Sequence, residues 1–321
     1  MAHGTSQDPS PRSDTSAGPP ADVDVLVVGG GPAGLACALY LARFRRSVLL
    51  VDDSRSRTAR IPCTRNYPGF ADGVAGEQLL AGIRAQAARH EARFAAGRVN
   101  AIERRGEGFA VRWNGGCANA RRVVLATGVS DVPPTMPHLA DALAQGALRY
   151  CPVCDGFETR HQAVGIIADH GCDTFEALYV RHFTDRLTVF VVSADVRFTE
   201  TQTRELQRAD IRLVPEPVRS IRLWEGRITV GHGNAETVVD SMYCALGMQV
   251  HSDLAVALGA RHDHDGYLLT DQHHQTTVAG LYAVGDVVKG LNQIAVAVGG
   301  AAIATSAIHL GLLDTPAVCA G

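Results

Sequence analysis

No sign of charge dominates this chain. Its formal net charge is −3 over 321 residues, which leaves no basic surface for wholesale nucleic-acid or membrane binding. No apolar run is read as reaching the roughly 18–20 residues that cross a bilayer. The first twenty residues are rich in Ser, Pro, Gly and Asp and hold no apolar stretch. Segment 1–21 is therefore read as a disordered tail and not as a secretory leader. A cytoplasmic location is expected, where thiols are kept reduced. Also missing is a second Cys-x-x-Cys, and with it the usual four-ligand zinc site; no metal is expected. Hydrophobic residues make up 46% and charged residues 20%, ordinary for a globular protein with room for two domains.

The eight cysteines form no disulfide framework. Cys37, Cys63, Cys117, Cys172, Cys244 and Cys319 stand singly. Only Cys151 and Cys154 are close, in Cys-Pro-Val-Cys-Asp-Gly, and such a pair in a reducing compartment reads as redox or metal chemistry. Two intervening residues let the sulfurs meet when the first cysteine opens a helix. The helix start then favours the thiolate, the species that attacks a disulfide. Asp155 follows directly and can give or take the proton the cycle needs. His262, His264, His273 and His274 invite a metal reading, but Asp265-Gly266 marks a turn, and a solvated hairpin is the expectation. Cys319, near the chain end, is read as part of a tail.

Residues 29–34, Gly-Gly-Gly-Pro-Ala-Gly, carry an intact dinucleotide fingerprint between two buried strands, Asp24 to Val28 and Ser47 to Val51. Gly29 permits the turn, Gly31 lets the backbone approach a pyrophosphate, and Gly34 lets helix pack on strand. Pro32 opens a helix predicted to run through Arg43, at a position where a missing N–H costs nothing. Ala33 lies in its first turn, whose free N–H groups suit phosphate. Asp52 follows Gly34 by 18 residues, near the spacing at which a carboxylate meets a ribose hydroxyl.

The second outline is damaged. A buried strand from Ala163 to Ile167, a helix from Thr174 to His182 and a strand from Leu187 to Val192 repeat the unit. The turn between the first strand and the helix reads Ala168-Asp169-His170-Gly171-Cys172-Asp173. Side chains at the former glycines block backbone from phosphate, and Asp169 and Asp173 put negative charge where phosphates would sit. After the following strand stand Val192-Ser193-Ala194-Asp195, with Arg197 as the nearby cation.

Arg65-Asn66-Tyr67-Pro68-Gly69, Ala126-Thr127-Gly128 after a β-meander (93–126), the Cys-x-x-Cys-Asp-Gly run, and Gly285-Asp286 followed by Asn292-Gln293 occur in an order that resembles the low-molecular-weight thioredoxin reductases. The resemblance spans 22–313. It implies an α/β fold of two Rossmann-like three-layer domains: a discontinuous FAD domain, 22–132 plus 271–321, with an inserted NADPH-binding-like domain, 133–270, that carries the dithiol. It implies FAD at the intact site, Asp286 on the ribityl chain, Gln293 and neighbours such as Ile294 against the isoalloxazine, and Asn66 facing the flavin. It implies that Cys154 faces the flavin while Cys151 exchanges with a disulfide substrate such as thioredoxin, and that the chain is a homodimer. The family usually shows Arg-Gln where this chain has Asn292-Gln293, a remodelled contact.

Within that resemblance the damaged turn points to a flavin disulfide oxidoreductase not supplied by NADPH, with a ferredoxin-like protein or another reductant as donor. An NADPH-dependent thioredoxin reductase with a divergent site, and a dithiol oxidase using oxygen, remain the alternatives.

Overall fold

A computed structural model describes residues 23–169 and 174–313. The tail expected at 1–21, Cys172, Cys319 and the His170–Asp173 part of the damaged turn lie outside the described residues. Apart from the half-buried Asp24, the strand Val23–Val28 is a run of β-branched and aliphatic residues buried on both faces, as a central parallel strand requires. It pairs in parallel with Val48–Asp52 on one side and with Gly116–Leu125 on the other. Gly116–Leu125 changes partners along its length. Its first half closes the antiparallel meander with Gly108–Trp113, and its second half also receives Leu281–Ala283 in parallel. Arg93–Ala96 flanks Val48–Asp52 and Val99–Arg105 ends the meander, giving a seven-stranded sheet.

The helix Pro32–Arg43 begins where the fingerprint predicts and ends where predicted. It shares one core with the helix Ile294–Gly311, through Leu35, Ala38, Leu41, Ala301, Ala304 and Ile308. The opposite face is sealed by the meander and by Ala255, Ala260 and Leu268. The sequence reading groups those three with the inserted unit ending at 270; here they pack under the first sheet, because their apolar side chains cover the face that Leu26 and Val123 present. Each large side chain fully buried in such a core contributes about 1.5–3 kcal/mol relative to exposure.

Five parallel strands make the second sheet, in the order Arg212–Val214, Arg186–Val191, Ala163–Ala168, Ser241–Ala245, Leu148–Arg149. The helix Thr174–Arg181 and Leu206 cover one face. An antiparallel three-stranded sheet, Val218–Trp224, Arg227–His232 and Ala235–Val239, covers the other through Ile221, Ile228 and Val230. The molecule is thus two three-layer α/β units. The chain passes out of the first at Val129–Asp131 and returns at Met248–Val250, and these segments pair antiparallel in a short ribbon.

The expectation about apolar runs needs correction. Ile294–Gly311 is 18 residues long and apolar enough, by length and composition, to cross a membrane. Small residues at Ala297, Gly300, Ala301 and Ala304 let it lie close against Pro32–Arg43 as a core helix. Residues His262–Leu268 form the expected hairpin, bridged antiparallel at its ends. The Asp263 carboxylate accepts from the Asp265 and Tyr267 N–H groups and pairs with Lys289 at 2.8 Å. Its oxygens lie near His264 and Asp265. His274 does not join them; its ring packs against Gly300.

Candidate active site

One cavity of about 500 Å³ runs from the fingerprint turn to the Cys-x-x-Cys motif. Every site residue singled out by sequence lines it except Gly34. Gly34 acts from behind: a Cβ there would stand 1.9 Å from the Gly29 carbonyl oxygen. Gly29 has φ +103°, and a Cβ there would meet the Ala126 oxygen at 2.4 Å. At Gly31 the nearest atom to an added Cβ is Ser56 Oγ, 3.5 Å away, so this backbone is bare toward the cavity. The missed glycine is Gly30. Its N–H donates to Asp52 Oδ1 at 2.9 Å, and a Cβ would strike that carboxyl at 2.4 Å. The helix starting at Pro32 has no side-chain cap at Gly31, so its first N–H groups and its positive end are available to an anion.

Sequence reasoning also missed Arg57. Its guanidinium makes a paired contact with Asp131, Nε to Oδ2 at 2.8 Å and Nη2 to Oδ1 at 2.6 Å, and reaches Asp286 at 3.7 Å. Burial lifts the Asp286 carboxyl above its ordinary range, and the Arg57 charge opposes the lift. No spacing rule links positions 57, 131 and 286; only the fold joins them. Thr127 Oγ1 donates to the His251 carbonyl. Asn292, the departure from the family pattern, turns its amide to Met248 Sδ at 3.4 Å, on the ribbon.

Cys151 and Cys154 are disulfide-bonded, with Cα atoms 5.3 Å apart. Cys151 caps the short helix Pro152–Asp155, and the Cys154 N–H donates to its sulfur at 3.2 Å. Gly156 allows the Phe183 ring to pack within 2.6 Å of where a Cβ would stand, which seats the motif on the second unit. From the first unit, Gln293 Nε2 lies 3.2 Å from Cys154 Sγ and 3.4 Å from Cys151 Sγ. Asn66 Nδ2 donates to Gln293 Oε1 at 2.8 Å and to the Val153 carbonyl at 3.3 Å. The side chain expected against a flavin ring is thus engaged with the sulfurs.

Asp155 is held from two strands. Arg149 Nη1 pairs with Oδ2 at 2.7 Å and the Tyr243 hydroxyl donates to Oδ1 at 2.7 Å. Burial raises the carboxyl above its usual range, opposed by the Arg149 charge and the Tyr243 hydrogen bond. Arg149 Nε is buried with no hydrogen-bond partner among the described residues. Two of the lone thiols behave otherwise: Cys37 is fully buried, and burial pushes Cys244 up to about 12, the mark of small core hydrophobes; Cys117 is exposed. Cys63 lines the cavity, its sulfur directed at the Asp72 carbonyl.

In the second unit, Ala168 is fully buried at the end of its strand and Asp169 follows. Beyond Arg186–Val191, Arg197 Nη1 donates to the carbonyls of Ala194 and Val196.

The family model described as pyridine nucleotide-disulphide oxidoreductase matches residues 23–301, and the chain belongs to that family. It is 28% identical over 307 residues to the thioredoxin reductase of Treponema pallidum (strain Nichols), covering 89% of this chain and 96% of that protein. Among solved structures it resembles that of HlmI at 30% identity and TM-score 0.85, covering 91% of this chain and 93% of that one. It also resembles thioredoxin reductase from Streptococcus pyogenes MGAS5005 at 25% identity and TM-score 0.84, covering 92% and 99%. The chain is a flavin disulfide oxidoreductase with FAD as cofactor, and the bare Gly31 backbone, the uncapped helix and Asp52 fit that group.

Proposed function

We propose that this chain is a thioredoxin-reductase-like enzyme whose Cys151–Cys154 pair exchanges with thioredoxin or another disulfide, and whose electrons come from a donor other than NADPH. The carrying observation is the contrast between the two units. Where Gly29 bends freely in the first, the second has a buried Ala168 and then Asp169. Cations for a 2′-phosphate are also fewer: Ser193 and Ala194 offer none, and Arg197, the nearby cation, has its Nη1 on the carbonyls of Ala194 and Val196. Since each 1.4 kcal/mol is about tenfold in affinity, steric block and charge need not be large to remove useful binding.

FAD would be held by the 29–34 turn, Asp52, Ala126–Gly128 and Asp286, and supplies a two-electron couple beside the dithiol. The chain's own residues then set the thiol chemistry. The Cys154 N–H steadies negative charge on Cys151, the sulfur at the helix start. Asp155, lifted by burial, exchanges a proton with the pair. A cytoplasmic location suits an exchanging dithiol. A homodimer is supported by Val296, Ile303 and Leu310, exposed large side chains at seven-residue intervals on one helix.

An anaerobic spectral titration tests the reading. NADPH should leave the flavin absorbance unchanged, while a dithiol such as dithiothreitol should bleach it. Rapid stoichiometric bleaching by NADPH would sink the donor assignment and restore an ordinary thioredoxin reductase. Oxygen uptake driven by a small dithiol, with no transfer to thioredoxin, would make the chain a dithiol oxidase instead.

A further inference from the structure

A train of side-chain hydrogen bonds ends on the two sulfurs. The buried Thr64 hydroxyl donates to Asn66 Oδ1 at 3.0 Å. Asn66 Nδ2 donates to Gln293 Oε1 at 2.8 Å. Gln293 Nε2 donates to Cys154 Sγ at 3.2 Å and Cys151 Sγ at 3.4 Å. The direction is set at every link. Turning the Gln293 amide over would put its oxygen against sulfur lone pairs and its NH2 against the Asn66 NH2, two repulsions in place of two bonds. Asn66 is anchored a second time by the Val153 carbonyl, inside the Cys-x-x-Cys motif.

We propose that Gln293 is a catalytic hydrogen-bond donor to the thiolate released when the Cys151–Cys154 bond opens, with Asn66 and Thr64 as positioning residues. The inference rests on the redox reading of that pair. A disulfide sulfur is a weak acceptor, whereas a thiolate is a charged one, and hydrogen bonds to ions are about twice as strong as neutral ones. The same donor therefore stabilises the open state more than the closed one, which is what acceleration requires. Successive bonds in the train polarise one another in the same sense. In the exchange itself, a thiolate of an incoming dithiol attacks Cys151 Sγ and forms a mixed disulfide. The Cys151–Cys154 bond breaks, and Cys154 Sγ leaves with its electron pair as a thiolate, beside the nearer contact of Gln293. The second thiolate of the reductant then attacks its own mixed-disulfide sulfur. The reductant leaves as a cyclic disulfide and Cys151 is freed as a second thiolate. The two protons the reductant gave up return to the enzyme thiols through solvent.

The test is the equilibrium between disulfide and dithiol at Cys151–Cys154 in the FAD-loaded full chain, poised in dithiothreitol redox buffers and read by thiol trapping and mass spectrometry. Gln293→Met keeps length and removes the donor. It should shift the equilibrium about tenfold toward the disulfide, which for a two-electron couple is about 30 mV to more negative potential. Gln293→Glu should shift it further in the same direction, since it sets a carboxylate against the thiolate. Thr64→Val, nearly isosteric and far from the sulfurs, should give a smaller shift of the same sign, as should Asn66→Leu. The alkylation rate of the reduced pair at pH 7 should fall in the same order. Equilibrium constants within twofold of wild type in all four variants, or a shift toward the dithiol in Gln293→Glu, would overturn the proposal. Should the Gln293 variants fail to fold, an unmoved potential in Thr64→Val is enough to reject it. A wild-type pair that dithiothreitol never opens would overturn the redox reading itself, a failure distinct from that of the donor.

Discussion

At Gly30 the difference between glycine and alanine is one methyl group in the wrong place. The Asp52 carboxyl occupies the space, 2.4 Å from where a Cβ would be, and the Gly30 N–H holds it by a 2.9 Å hydrogen bond. Gly30→Ala must push Asp52 out of the cradle. We expect loss of most FAD from the purified protein and a stability loss of about 1–3 kcal/mol, the usual range for forcing a methylene into a packed site. The ratio of flavin to protein absorbance and a urea melt would measure both, and full FAD occupancy would disprove the crowding argument. A second residue-scale prediction concerns Asp155. Its folded carboxyl is raised above the ordinary value, first by burial, with Arg149 opposing. The folded chain then keeps a proton that the unfolded chain has lost, from about pH 4, the ordinary value, up to the raised one. Stability attributable to this group falls as pH rises through that window. Arg149→Met removes the opposing charge, so the fall should reach higher pH; Tyr243→Phe should do the same to a smaller degree. Denaturant midpoints across the window, with Asp155→Asn as the variant lacking this slope, would check the sign. An Arg149→Met midpoint that rises with pH faster than wild type would contradict it.

At the scale of elements, local pattern was easy to read and long-range contact was not. The helix Pro32–Arg43 matches its predicted bounds because proline and glycine act within a turn of their own position. The strand Ala163–Ala168 and the helix Thr174–Arg181 shift from prediction by a residue at one end, where fraying decides. Tyr243 leaves no trace in the sequence, since Asp155 meets it only across a separation of 88 residues; Arg149 is near in sequence, but no spacing rule aims its side chain at the carboxylate. Gln293 was visible as a site residue by resemblance, but its engagement with sulfur was not, because that depends on how the two units sit together. The C-terminal helix departs from the expectation about apolar runs: Gly, Ala and Thr are interspersed with its large apolar residues, yet no charged residue interrupts its 18 positions. Its outer face carries the next prediction. Val296, Ile303 and Leu310 recur every seven residues, two helical turns apart, and stay 48–66% exposed in the single chain. Such a row of large side chains is what a helix–helix contact between copies would cover. Ile303→Glu should turn a dimer into a monomer by light scattering while keeping FAD. A monomeric wild-type chain at micromolar concentration would refute the homodimer.

For the whole molecule, two α/β units of similar outline differ in what they can hold. The first presents a bare Gly31 backbone, an uncapped helix start and the Asp52 carboxylate to its cavity. The second presents a buried Ala168 and then Asp169, and just past Arg186–Val191 it has Ser193 and Ala194 where a 2′-phosphate would need cations. Ligand linkage turns this asymmetry into a measurement. A ligand that binds only the folded state at about 100 times its Kd adds about 2.7 kcal/mol, which in a domain of this size moves the melting temperature by several degrees at about 2–4 °C per kcal/mol. Adding FAD to the apoprotein should therefore raise the melting temperature clearly, and millimolar NADPH should not move that of the FAD-loaded protein. Repair should need both halves of the lost site. Ala168→Gly, Asp169→Gly and His170→Gly together remove bulk and one charge but supply no cation, and Ser193→Arg with Ala194→Arg supplies cations but leaves the side chains at 168–170. Only the five changes together should give an NADPH-dependent shift, because a phosphate must first reach the backbone before a distant arginine can hold its partner group. An NADPH shift in the wild-type chain as large as that with FAD would show the second unit to be competent and would end the argument for a different donor.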